Sequence, residues 1–392
     1  MLLTEDSQPT MIGNKVEAII PYHTSDEFSV VAKEDGKIID IQNGIVVIQY
    51  KSGVYKSIDT NNQVKKNAAS GFYIQTHLAC DKKIGDKVKK GEVVAYNPRS
   101  YTKNNSDLSA SMNLGVLAKV AVIPSWDIYE DSAPITTSLS ERMSTSMVSE
   151  VSIALDKNSY IDYIAKIGDH VKTGDFLMKF NQFQDDPYTL KLLKDMQEDL
   201  KEELIADNIS TIKSKYTGEI VDIKIFTTVP VDEFDPSVQK VVRAYHSRIS
   251  KKEKVLNKYQ NPGDYKFYKS GTLISESEDV LTPDMQGKIR GVKVEDGVLI
   301  IFYVKYRDNM KKGDKIAQLT ALKGIVSNVI PKGLEPYSEF RPDEEISTLI
   351  APLAITARKT PSIFLSMFGN KLLIEMKKQL ENIYNDEDPH KK

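Results

Sequence analysis

The chain carries one cysteine in 392 residues, Cys80. A single thiol excludes an internal disulfide framework and fits a reducing compartment. No apolar run reaches the ~20 residues needed to cross a bilayer. The start, Met1-Leu2-Leu3-Thr4-Glu5-Asp6, has neither the basic residues nor the apolar core of a secretory signal. These absences predict a cytoplasmic protein without membrane contact. Neither sign of charge is in excess, since the net charge is −2. A self-sufficient nucleic-acid binder usually carries a basic surplus to displace counterions from phosphates. Contact with nucleic acid would therefore run through a few placed cations or through basic partners. The sequence has no Walker loop, nucleophile elbow or metal-spaced Cys/His cluster. Its five histidines (His23, His77, His170, His246, His390) are scattered, and the Asp386-x-Asp388 pair falls in a polar tail.

What is present is mostly short strands. The length allows more than one core, so two or three domains are expected. Ile38-Ile39-Asp40-Ile41 and Ile45-Val46-Val47-Ile48-Gln49-Tyr50 flank Asn43-Gly44, a strong hairpin signal. Further strands are predicted at Val93–Tyr96, Val116–Ile123 and Gly218–Phe226, and at Ile289–Val294 joined to Val298–Val304 by Glu295-Asp296-Gly297. The stretch from Ile84 to Val94 recurs from Ile167 to Leu177, each copy with two glycine–acid turns. That is the turn grammar of small β-barrels and barrel-sandwich modules. Helices are predicted from Pro187 through Leu204, around Val238, Val241, Val242, Tyr245 and Ile249, and from Pro361 to Tyr384. Residues 385–392 read as a disordered tail.

Three features could carry chemistry. Trp126-Asp127-Ile128-Tyr129-Glu130-Asp131 sets two adjacent carboxylates after a strand, the donor type a hard cation such as Mg²⁺ takes when phosphate oxygens fill its other positions. On pattern alone a loop with a helix cap is the preferred reading. Lys312-Gly313-Asp314-Lys315, followed by Lys323-Gly324, places Lys315 and Lys323 on either side of a loop between strands, where they would face phosphates or simply solvent. Arg358 precedes the last helix, where its guanidinium fork would clamp a phosphate or make an ordinary surface pair.

Taken in order, these segments resemble the β subunit of bacterial-type multisubunit DNA-directed RNA polymerase, in its C-terminal section. Met11–Glu17 with Val30–Lys33 is similar to the opening of that section. Asn113-Leu114-Gly115 through Glu130-Asp131-Ser132 resembles the family stretch from LGxN to MPWxGYNFEDS, and Ser140-Glu141-Arg142 its SER element. Gly218–Phe226 resembles GxVxDVxxF, Lys312–Gly324 resembles GDKxAGRHGNKG, and Ala351–Gly369 resembles NPLGVPSRMNxGQ…HLG, with Arg358 on the family's arginine. The resemblance implies a mainly β fold with α insertions. A double-psi β-barrel would be built from residues 111–150 and 285–360, after a β-rich module at 1–110. A flap- or wall-like insertion would span 151–284, and a C-terminal helix 361–384.

The same resemblance implies roles. Asp131, with Glu130, would lie near the second Mg²⁺, indirectly; Lys315, Lys323 and Arg358 would serve catalysis by contacting RNA and the incoming NTP. The primary Mg²⁺ would sit on the NADFDGD loop of a partner β′ chain. Further partners would be an N-terminal β fragment, template DNA, product RNA and a promoter-specificity subunit. Departures are specific. Leu319-Thr320-Ala321-Leu322 replaces Arg-His-Gly-Asn, the metal loop is one residue short, and about six residues from Ala133 to Ser138 are extra. Split subunits with such degenerate motifs resemble giant-bacteriophage polymerases, which implies the host cytoplasm. Two other readings stand beside this one. The first is a catalytically silent β-like structural subunit. The second is a barrel-sandwich adaptor, although the Met-Lys-Met element of carrier modules is absent.

Overall fold

The computed structural model describes residues 4–11, 13, 15–66, 73–104, 109–181, 209–261, 288–289, 292–293, 297–318, 322–358 and 360–387. Labelled in chain order, the elements that frame the site are β1 (Gly36–Gln42), β2 (Ile45–Tyr50), β3 (Val120–Val122), β4 (Ser132–Thr136), α1 (Thr137–Arg142), β5 (Thr145–Asp156) and β6 (Gly218–Thr227). Next come α2 (Pro236–Lys258), β7 (Gly297–Asp308), β8 (Lys315–Gln318), β9 (Leu322–Ile330), β10 (Thr348–Ile350), α3 (Pro352–Thr356) and α4 (Ser362–Glu387). The fold is mainly β with a few helices. Among the described residues no helix is long and apolar enough to cross a membrane. Two compact units form, each from separated stretches: residues 1–25, 97–145 and 308–392, and residues 26–96 and 146–307.

In the second of these units, Asn43 (φ 52°) and Gly44 (φ 74°) make the left-handed turn that closes β1 on β2. Strand β2 is buried on both faces. Ile45 and Val47 meet Val255 and Leu256 of α2, whereas Val46, Ile48 and Tyr50 join a separate cluster with Val30 and Ile38. Strand β7 repeats that pattern: Val298, Ile300, Phe302 and Val304 face one core, and Leu299, Ile301 and Tyr303 the other. A period of two with both faces covered explains the unbroken apolar run. The strand needs a long partner, and it takes β6 along eight registered pairs from Glu219↔Lys305 to Thr227↔Val298. Lys288–Ile289 pairs with Val292–Lys293, and residues 294–296, the link expected to close a hairpin onto β7, lie outside the described residues. Helix α2 starts at an Asp235 cap, with Pro236 in its first turn, and buries Val238, Val242, Tyr245 and Ile249. Its basic run, Lys251 to Lys254, lies inside the helix. The helix expected from Pro187 lies outside the described residues.

Among the described residues one turn recurs five times: Lys83-Ile84-Gly85-Asp86, Lys89-Lys90-Gly91-Glu92, Lys166-Ile167-Gly168-Asp169, Lys172-Thr173-Gly174-Asp175 and Lys311-Lys312-Gly313-Asp314. In each, the acid's backbone N–H donates to the lysine carbonyl, and the acid's carboxylate accepts from the lysine N–H at 2.7–3.0 Å. Glycine takes φ between 80° and 98°, which a side chain would strain. Each glycine N–H then donates to one residue in or beside a strand, whose own N–H returns to the acid's carbonyl. The five receiving residues are Ile38, Ala32, Ile220, Ser214 and Val326. The turn is therefore a two-bond clip that pins one segment of chain against another in a fixed register.

The other unit is organised by a five-stranded sheet in the order β3-β10-β4-β9-β8. Strands β3 and β10 are parallel, as are β4 and β9 (Ser132↔Ile325, Thr136↔Ile330), and β8 returns antiparallel on β9. Residues 133–136, which the resemblance alone reads as extra, belong to its central strand, with Ala133, Pro134, Ile135 and Thr136 all buried. Thr348 Oγ1 donates to the Pro134 carbonyl at 2.9 Å and ties β10 to β4. Helix α4 packs through Ile363 and Met367. Its bidentate Glu375–Arg341 pair (2.8 and 3.0 Å) and its Lys378–Glu344 pair (2.8 Å) hold it farther along. Leu365, Phe368, Leu372, Met376, Leu380 and Ile383 are exposed on its outer side. The helix runs to Glu387; residues 388–392 of the expected tail lie outside the described residues.

Candidate functional site

The acidic pair sits immediately before β4. Tyr129-Glu130-Asp131-Ser132 is a tight turn in which Ser132 N–H donates to the Tyr129 carbonyl at 3.0 Å and Tyr129 N–H to Ser132 Oγ at 2.7 Å. Glu130 occupies the left-handed region (φ 46°), which costs a non-glycine residue about 1 kcal/mol or more and turns its side chain outward. Asp131 is half-buried. Its carbonyl accepts from Ile325 N–H at 3.1 Å, and β9 passes so close that a Cβ on Gly324 would lie 2.0 Å from that carbonyl oxygen. Only glycine allows this approach. A narrow cleft of about 10 Å³, the size of one water, is lined by Glu130, Asp131, Ile316, Leu322, Gly324 and Ala354.

Arg358 stands in the short link between α3 and α4. Beneath it Ala354, Ile355 and Ile363 join Leu322 and Ile350 in one core, so the base of the arginine is fixed to the same sheet. Its Nη2 donates to Asp131 Oδ2 in a direct ion pair. The two side chains remain 36% and 43% exposed, open to exchange with a ligand.

Lys315 and Lys323 are brought together differently. Registered pairs Lys315↔Ile325 and Ala317↔Lys323 put both lysines on one face of the β8–β9 hairpin, and that face is exposed. Ile316, Leu322, Gly324 and Val326 alternate with them on the buried face. The lysines thus project from the side of the hairpin opposite to the one that lines the cleft. The clip at Lys311–Asp314 places Lys315, since Gly313 N–H donates to the Val326 carbonyl at 2.8 Å and Val326 N–H to the Asp314 carbonyl at 2.9 Å. Of the altered loop, residues 319–321 lie outside the described residues.

The pattern reading missed several supports. Ser140 Oγ donates to the Met310 carbonyl at 2.6 Å, and Arg142 Nη2 to the Leu117 carbonyl at 2.8 Å. The Ser-Glu-Arg element therefore ties α1 to the segments leading into the lysine hairpin and β3. Gly324 was visible only as part of a motif; its close approach to Asp131 needs the parallel pairing to be known.

Two adjacent carboxylate side chains, one already engaged by an arginine, are oxygen donors of the kind Mg²⁺ takes. Among the described residues no group of three or more acidic, histidine or cysteine side chains could enclose an ion. The donor set suits a metal that arrives with phosphate oxygens and keeps waters, rather than one held by this chain alone.

A family model described as RNA polymerase Rpb2, domain 6, matches residues 109–388. The chain belongs to that family. The match spans the acidic turn, the lysine hairpin, Arg358 and α4. Similar relatives include the protein named DNA-directed RNA polymerase subunit beta of Streptococcus thermophilus, 24% identical over 337 residues, covering 84% of this chain and 24% of the relative. The protein of that name from Mycoplasmopsis synoviae is 26% identical over 339 residues, covering 85% and 24%. That from Orientia tsutsugamushi is 21% identical over 440 residues, covering 90% and 31%. The chain spans about a quarter to a third of the length of these relatives.

Proposed function

We propose that this family member acts as a section of the β subunit of a DNA-directed RNA polymerase, contributing NTP- and RNA-facing residues to Mg-dependent nucleotidyl transfer inside a multisubunit complex. The observation that carries the reading is the Arg358–Asp131 pair. Two residues that the resemblance assigns to opposite parts of one ligand, phosphate and metal, meet beside one sheet although 227 positions separate them. In this reading Arg358 orients the triphosphate through its guanidinium fork. Asp131 and Glu130 would hold the second Mg²⁺, which when bound neutralises charge on the triphosphate oxygens. Lys315 and Lys323 offer two cations on one exposed face to RNA phosphates. The primary ion and its aspartates belong to a partner β′ chain.

Further support comes from α4. A helix apolar on both its packed side and its outer side is suited to being covered on both. The exposed row from Leu365 to Ile383 exceeds what an isolated chain keeps without purpose. Partner chains, an N-terminal β section among them, are the natural cover. The double-psi barrel, with residues 111–150 and 285–360 as its parts and 151–284 as a flap-like insertion, belongs to the same proposal, as does cytoplasmic action. The pairing of β4 with β9 across that interval supports it. The altered lysine loop supports a divergent, phage-type enzyme.

The test is affinity purification of the chain with its partners, followed by RNA synthesis on a DNA template. The purified complex should contain a chain with an Asp-x-Asp-x-Asp loop. Arg358→Ala should raise the KM for NTPs and slow addition without disrupting assembly. Normal elongation by that variant would remove Arg358 from the site. It would favour instead the silent, structural β-like subunit, a reading to which the lysines' position away from the cleft also points.

A further inference from the structure

Helix α2 packs one face on its core and shows solvent a face of a single charge. Val238, Val242, Tyr245, Ile249, Val255 and Leu256 are buried. Around the other side Lys240, Arg243, Lys251, Lys254 and Lys258 are all exposed, with Ala244 and Ser247 among them. Steps of three and four residues, through Ser247, join these positions into one straight row of about 27 Å. The helix contains one acid, Glu253, and by helical phase it falls outside the row. We infer that this row is a docking track for the phosphate backbone of double-stranded DNA. The track is separate from the acidic turn and Arg358 and does not depend on what they bind.

Solvation alone does not call for such a row. Like charges one turn apart weaken a helix, and the other long helix of the chain avoids them. Helix α4 pairs Lys371 with Glu375 and Lys377 with Glu381, each one turn on. The chain as a whole carries a net charge of −2, so the cations of α2 are gathered there and not drawn from a general surplus. Lys240, Lys251 and Lys254 make no ion pair among the described residues. The other two can be exchanged. Arg243 meets Asp232 with both side chains largely exposed. Lys258 shares Asp40 with the Tyr259 hydroxyl, which donates at 2.7 Å and keeps that carboxylate bonded when the lysine turns away.

The chemistry of the row selects the occupant. Each strand of a DNA duplex presents one phosphate per about 3.4 Å of axis, enough to meet every cation, and each contact releases a condensed counterion. A single strand is held in large part by bases stacked on aromatic side chains. The row has none, since Tyr245 is buried on the opposite face. Ala244 and Ser247 are short, which leaves a backbone room to approach, and a serine hydroxyl donates well to a phosphate oxygen. The helix is also held in place from behind. Asn43 Nδ2 donates to the Lys251 carbonyl at 3.2 Å, and Arg248 donates to Asp222 and to the Ile223 carbonyl at 3.1 and 2.9 Å.

Fluorescence anisotropy of a labelled DNA duplex of mixed sequence, titrated with the purified full chain in EDTA, tests this without nucleotide or metal. The logarithm of the affinity should fall against the logarithm of salt concentration with a slope of about −3 to −4.5, the mark of three to five phosphate contacts. The triple variant Lys240→Gln, Lys251→Gln, Lys254→Gln should lose about 2–3 of that slope and bind more weakly whatever the sequence. The matching variant Lys240→Arg, Lys251→Arg, Lys254→Arg should keep both slope and affinity. An unchanged slope in the glutamine variant, or no binding of the duplex at low salt, overturns the inference. So does tighter binding of a single strand, or of polyglutamate as a stand-in for an acidic protein segment, than of the duplex. None of these outcomes bears on the Arg358–Asp131 site, because neither residue belongs to the track.

Discussion

Arg358 donates from Nη2 to Asp131 Oδ2, joining the segment after α3 to the turn before β4. The pair sits on a common frame. Asp131 is tied to β9 through Ile325, and Arg358 stands above a core that includes Leu322 of β9 and Ile350 of β10. Because both side chains are well exposed, the pair should add little to folding. A double-mutant cycle with Arg358→Ala and Asp131→Asn in urea unfolding should give a coupling of about 0.2–1 kcal/mol. A coupling well above 1 kcal/mol would mean that the pair is less open to solvent than its exposure indicates.

Gly324→Ala is expected to be costly. The added Cβ would meet the Asp131 carbonyl oxygen at 2.0 Å, and both atoms belong to paired backbone. The strands must separate locally, at a cost of about 1–3 kcal/mol. The urea midpoint should fall with an unchanged slope. A variant with the wild-type midpoint would show that β9 does not pass this close to the acidic turn.

Glu130 gives the opposite expectation. Its left-handed backbone is strained for a residue with a side chain and natural for glycine. Glu130→Gly should gain up to about 1 kcal/mol, whereas Glu130→Ala should gain none. Thermal unfolding of the two variants side by side checks this. Equal effects would argue that the charge, not the backbone, governs stability here, and strain retained at such a position is itself a mark of a functional turn.

Acid should loosen α4. Hydrogen bonds from Lys119 and Lys378 hold the Glu344 carboxyl down to about 2, and hydrogen bonds from Arg341 and Lys371 do the same for Glu375, against an ordinary value of 4.5. A carboxyl whose folded value is depressed contributes fully above the unfolded value. That contribution is lost as pH falls from about 4.5 toward 2. Unfolding followed by urea at successive pH values should show stability declining across this window. The double variant Glu344→Gln, Glu375→Gln should flatten the decline; an identical slope would place the acid sensitivity elsewhere.

Local signals are legible in the sequence. Asn43-Gly44, the strand at 218–226 and the apolar spacing of Val238, Val242, Tyr245 and Ile249 each specify their element within one turn or one face. What depends on distant partners is not. Residues 133–136 read as an extra segment, yet they are the central strand, because β9 and β10 supply their pairing from far along the chain. Local pattern offers β7 a neighbour in sequence, but its long run of backbone donors and acceptors takes its partners along β6. The stretches at 84–94 and 167–177 declare their clips because they share flanking residues. The fifth clip, Lys311–Asp314, carries the same Lys-x-Gly-acid core outside any longer repeat, and the segment it pins, at Val326, emerges only from its bonds. The juxtaposition of Asp131 and Arg358 comes from the order of motifs along a family and not from any local pattern.

The bond from Thr348 Oγ1 to the Pro134 carbonyl spans 214 positions, and this sets a timetable for synthesis. At roughly 5–20 residues per second, β4 emerges from the ribosome about 10–40 s before β10 can reach it. For most of that interval, until β9 follows, Ala133, Pro134 and Ile135 have no neighbouring strand, and a nascent chain stalled before residue 322 should be cut by protease around them. Protection of this segment in such stalled chains would mean that a chaperone or another subunit shelters it during translation.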